Sequence, residues 1–100
     1  MKEVILSADG DSVVYSVPDA VAEHLEEYCL EFCANWIHNS PDAEKHRKGD
    51  VACYSEGDFI DYLNAYIFPD DESRMIKNLG WTDFGENLPA EYKDYPYFNF

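Results

Sequence analysis

Glu23, Glu26, Glu27 and Glu31 lie within nine residues of a stretch patterned as a helix. At about 1.5 Å of rise per residue, Glu23 to Glu31 spans about 12 Å. Four carboxylates over that length sit about 4 Å apart, close to the spacing of about 3.4 Å between phosphates along one DNA strand. Such a row makes no bonds by itself, but it attracts a basic surface. Glu23/Glu27 and Glu27/Glu31 are like-charge pairs at i, i+4, each costing an isolated helix about 0.2–0.5 kcal/mol. Between Lys2 and Lys45 the chain carries ten acids and no Lys or Arg to relieve them. At about 100° per residue, Leu30 and Ile37 project into the acidic side, with Cys33 and Ala34 between them. Apolar residues ringed by carboxylates form an interface with an apolar centre and a charged rim. The aromatic C-terminal segment is a competing cover for both. The expected partner-binding set is Glu23, Glu26, Glu27, Glu31, Leu30 and Ile37.

Other chemistry has weaker support. Cys53 precedes a helix start whose dipole would lower its pKa, and His46 is near enough in sequence to serve as base. No glycine-rich elbow or oxyanion motif surrounds it. Asp9-Gly10-Asp11-Ser12 begins like a calcium loop, yet Val13 stands where an oxygen ligand belongs and the twelfth position is Ala20. Cys29 and Cys33 lack the C-x-x-C spacing of a zinc site, and Cys29 falls on an apolar stripe. No cofactor or metal is expected. Phosphate-cradling loops and dinucleotide fingerprints are absent from the sequence.

The whole composition agrees with a binding role. There are 21 acids against 7 bases, a formal net charge of -14. That balance repels nucleic acid and anionic membranes, so the expected partner is a basic protein. Hydrophobic residues make up 46% and aromatic residues 16%, too many for an acidic disordered chain. The first residues hold an apolar run too short for a secretory signal, and no stretch approaches a membrane span. Three cysteines, two of them one helical turn apart, suit reduced thiols, and the expected setting is the cytoplasm.

The elements that position these residues read as one α+β domain. Residues 3–7 and 12–17 form an N-terminal hairpin around Asp9-Gly10. Residues 18–39 form a long amphipathic helix with Val21, Leu25, Tyr28, Cys29, Phe32 and Trp36 facing the core. Ser40 caps a short turn begun by Pro41, and 51–54 offer a third antiparallel strand. Ser55 and Asp58 frame a capping box for a second helix carrying Phe59, Ile60, Leu63, Tyr66 and Ile67, stopped by Pro69. Acids 70–72 and Gly80 bracket a third short helix over 71–79 with Met75, Ile76 and Leu79. Trp81, Phe84, Tyr92, Tyr95, Tyr97, Phe98 and Phe100 then form an aromatic strap or edge strand. The functional expectation is a non-catalytic acidic inhibitor or adaptor for a nuclease-like or nucleic-acid-binding protein. The alternatives are a thiol enzyme using Cys53 and an oligomerising module built on the aromatic tail.

Overall fold

The computed structural model describes residues 1–83 and 85–100; Phe84, expected in the aromatic strap, lies outside the described residues. Strands β1 (Lys2–Ser7) and β2 (Ser12–Val17) form the antiparallel hairpin, with Ile5 opposite Val14 and Leu6 opposite Val13. In the connecting loop it is Asp9, at φ 56°, that takes the left-handed conformation; Gly10 does not. Aspartate tolerates this region through local hydrogen bonding, and here Asn99 supplies the bonds. Asp9 N–H donates to Asn99 Oδ1 at 3.0 Å, and Asn99 Nδ2 donates to Asp9 Oδ1 at 3.1 Å.

The unbroken run of apolar residues in β1 and β2 follows from burial on both faces. Val4, Leu6, Val13, Tyr15 and Val17 join the helices in the main core, whereas Ile5 and Val14 face the other way onto Leu88. The sheet is mixed and four-stranded, in the order β5-β2-β1-β6. Its outer strands are β5 (Arg74–Gly80), antiparallel to β2, and β6 (Tyr97–Asn99), parallel to β1.

Strand β5 replaces the expected third helix over 71–79. A helix of that length is marginal alone, and β2 would otherwise present a row of unpaired backbone groups. Met75, Ile76 and Leu79 mimic a helical spacing because the pairing with β2 shifts twice, skipping Ile76 and Leu79. Such bulges bend and twist an edge strand.

Because β5 and β6 lie at opposite ends of the sheet, the chain between them must cross it. Leu88, Tyr92, Tyr95 and Tyr97 cover Ile5 and Val14, making a third layer, while Phe98 and Phe100 turn to the helical side. The aromatic segment is therefore both strap and edge strand. Gly85, at φ 91°, lies where an added Cβ would sit 3.2 Å from the Tyr97 ring, so both its backbone and its bareness are used.

The expected 18–39 helix is built in four pieces. These are α1 (Asp19–Glu23), α2 (Leu25–Leu30), a π-helical segment Glu31–Trp36, and α3 (Ile37–Asn39). His24, at φ -130° and ψ 42°, breaks the first two apart. A 3-10 turn Pro41–His46 follows, with Ser40 Oγ accepting from Asp42 N–H at 3.2 Å. Residues 51–54 do not join the main sheet. Instead β3 (Arg47–Lys48) and β4 (Val51–Ala52) form a separate ladder across Gly49. Arg47 donates at 3.1 Å to the Ile37 carbonyl, an acceptor of the last helical turn, and at 2.9 Å to the Ser40 carbonyl, which also accepts from Ala43 N–H. Helix α4 (Glu56–Tyr62) continues into a second π segment, Leu63–Ile67. Asp58 accepts from the Ser55 N–H at 2.8 Å, the reach-back half of the capping box. No described helix is long and apolar enough to cross a membrane.

Candidate functional site

The glutamates occupy the outer side of the first helical stretch, although not on one continuous helix. Glu23 belongs to α1, Glu26 and Glu27 to α2, and Glu31 opens the π segment. All four are exposed. Relief comes from outside the stretch for Glu23, which pairs with Lys2 at 3.2 Å. Glu27 lies 3.5 Å from His24 Nδ1, and Glu31 accepts from the Asn35 amide. Between them a concavity of about 240 Å³ is lined by His24, Glu27, Tyr28 and Glu31.

The two apolar residues separate. Leu30 is 45% exposed and stands among the acids, whereas Ile37 is 0% exposed and belongs to the main core. The cause is the π segment between them. A π turn holds about one residue more than an α turn, so every residue beyond it is rotated back by about 100° relative to the α pattern. That rotation carries Ile37 from the acidic side to the core side. Ile37 is therefore buried and does not lie on the exposed acidic face where the sequence pattern places it.

A cysteine-histidine pair is also not assembled. Cys53 N–H donates to the His46 carbonyl at 2.7 Å, so the two backbones touch. Their side chains part. Cys53 is exposed and lines an open depression of about 450 Å³ with Ala8, Asp9, Ala52, Tyr54 and Phe100. His46 instead packs its ring against Trp36, at 6.3 Å between centroids, in a different cleft. Cys29 is buried, and desolvation first, then Cys33, pushes its thiol far above the ordinary range. It is an apolar filler. Among the described residues no group of three or more His, Cys, Asp or Glu is placed to hold a metal ion.

The cleft that takes His46 was not anticipated as a site. Its volume is about 80 Å³, and one wall is a single stripe of the second helix: Asp58, Asp61, Tyr62, Ala65 and Tyr66. Those positions follow i, i+3, i+4, i+7, i+8, a helical face that mixes acid and aromatic residues. The sequence puts Tyr66 on one face with Phe59, Ile60 and Leu63, but Tyr66 lies inside the second π segment, and the structure buries those three while leaving it 50% exposed. The other wall comes from Trp36 and from the 3-10 turn with Asp42, Lys45 and His46. Tyr62 is itself buried; desolvation, then the nearby Glu31 and Tyr28, raise its hydroxyl pKa above the ordinary value.

Compared with protein-family models, curated proteins and solved structures, the chain matches none of them. Its function must be argued from its own surfaces.

Proposed function

We propose that this chain is a non-catalytic acidic binding protein, an inhibitor or adaptor for a basic protein partner of the nuclease-like or nucleic-acid-binding kind. The observation that supports this is the exposed set Glu23, Glu26, Glu27 and Glu31 arranged around an exposed Leu30. Lys and Arg side chains of a partner would meet carboxylates at the rim, and an apolar contact would form over Leu30. Attraction between such surfaces mainly raises the association rate and weakens steeply with salt. Ile37 takes no part, and neither Cys53 nor His46 is needed.

The test is the triple variant Glu23→Gln, Glu27→Gln, Glu31→Gln. Removing the two like-charge i, i+4 pairs favours the free helix by about 0.2–0.5 kcal/mol each. Loss of the exposed Lys2–Glu23 pair offsets part of that gain. The folded protein should therefore keep its stability or gain slightly, while its salt-sensitive capture of basic proteins from a native lysate is lost. Unchanged capture by the triple variant would sink the proposal.

A further inference from the structure

The cleft between the two π segments has the composition of a receptor for an organic cation. Trp36, Tyr62 and Tyr66 meet there with ring centroids 4.9 Å apart for Trp36–Tyr62, 5.4 Å for Trp36–Tyr66 and 6.4 Å for Tyr62–Tyr66. The interplanar angles are 57°, 45° and 45°, so none of these three lies flat over another, while Trp36 stacks on Phe32 and Tyr62 on Phe59 from the core side, at 20° and 27°. A ring face is electronegative and holds a cation within about 6 Å of its centroid. Three carboxylates, Asp42, Asp58 and Asp61, line the same space against the Lys45 ammonium and the His46 imidazole, whose ring packs on Trp36. Asp58 is oriented by its bond from Ser55 N–H. Among the described residues neither Asp61 nor Lys45 forms an ion pair.

The wall chemistry selects among cations. A bare metal ion would need several converging ligands, and the described residues do not provide them. A tetraalkylammonium group suits the rings but has no N–H for the aspartates. A primary ammonium is a compact, strongly hydrated point charge, whereas guanidinium is planar, weakly hydrated and rich in N–H donors. It can lie on an aromatic face while its edge bonds a carboxylate. Arg, Trp and Tyr are also the residues that dominate protein interfaces.

We propose that this cleft binds one guanidinium group, stacked at the Trp36–Tyr66 corner with its N–H edge toward Asp61, and that its source is an arginine side chain of another polypeptide. The site uses none of the glutamates of the acidic face, so it stands or falls separately from that reading. Lys45 is the resident competitor at the rim.

The experiment follows the indole N–H of Trp36 by two-dimensional NMR, with Trp81 as internal reference. Four probes are titrated into the intact protein: acetyl-Gly-Arg-Gly-amide, its citrulline counterpart, its lysine counterpart, and methylguanidine. The arginine peptide should shift Trp36 saturably, with the citrulline peptide about tenfold weaker or more. The lysine peptide and methylguanidine should both be weaker than the arginine peptide. Asp61→Asn and Tyr66→Leu, both at exposed positions, should each weaken the arginine peptide about three- to tenfold while the rest of the spectrum is retained. Lys45→Met should strengthen it. Equal binding of the citrulline peptide would overturn the cation assignment. Equal binding of methylguanidine would overturn the polypeptide source. Shifts centred on Glu27 and Glu31 in place of Trp36 would overturn the location and favour the acidic face.

Discussion

Exchanging Ile37 for alanine should cost this domain far more than exchanging Leu30, and the difference measures the π-helical shift between them. Ile37 is 0% exposed. Truncation to alanine removes three carbons from a closed core, about 2.4 kcal/mol of transfer free energy at about 0.8 kcal/mol each. The unfilled cavity brings the total to about 3–4 kcal/mol. Leu30 is 45% exposed, so its truncation forfeits roughly half the transfer contribution and leaves no closed cavity, about 1 kcal/mol. Urea unfolding followed by circular dichroism separates the two, read as midpoint shifts at constant slope. In a domain of this size each kcal/mol moves Tm by about 4–8 °C. The Ile37 variant should therefore melt roughly 12–30 °C lower, and the Leu30 variant roughly 4–8 °C lower. An uninterrupted α-helix would put both side chains on one face and make the two losses similar. Losses within about 1 kcal/mol of each other would refute the phase-shift argument.

Two further outcomes test the buried groups. Burial, with Glu56 and then Asp61 adding to it, pushes the Tyr15 hydroxyl up to about 12, against about 10 in an unfolded chain. The folded state holds that proton more tightly, so its stabilising contribution is complete below about pH 10 and is lost as pH rises to about 12. Urea midpoints at about pH 9 and about pH 11.5 should differ more in the wild type than in Tyr15→Phe; equal differences would exclude Tyr15. The thiols should react with a maleimide in the order Cys53, then Cys33, with Cys29 modified only on unfolding. Early labelling of Cys29, read by peptide mass mapping, would contradict its burial.

Much of the fold was legible because local and global preferences agree in the central strands and at the helix starts. Val4-Ile5-Leu6 and Val13-Val14-Tyr15 read as strands whatever surrounds them, and both became central strands buried on two faces. Ser40-Pro41 carries its own start signal. Residues 74–80 do not. Seven residues with Met75, Ile76 and Leu79 satisfy a helical spacing as well as a bulged strand, and the open edge of β2 decided between them. The site was hidden for a related reason. The acidic residues needed only composition to find, whereas the fate of Ile37 depended on a π turn that no residue type announces. The aromatic cleft depended on Trp36 meeting Tyr66, thirty positions further along the chain.

The parallel pairing of β1 with β6 also sets how the domain would bear load. Lys2 lies at the start of β1 and Asn99 at the end of β6, and Ile5, Leu6 and Ser7 stand opposite Tyr97, Phe98 and Asn99. Tension applied through these two residues pulls the strands past one another along their length. Ile5 N–H to the Pro96 carbonyl, Phe100 N–H to the Ser7 carbonyl and the Asp9–Asn99 bonds then share the force. Unzipping one bond after another is not available in that geometry. Held this way, the small sheet would act as a shear clasp, loading those bonds together along the line from Lys2 to Asn99.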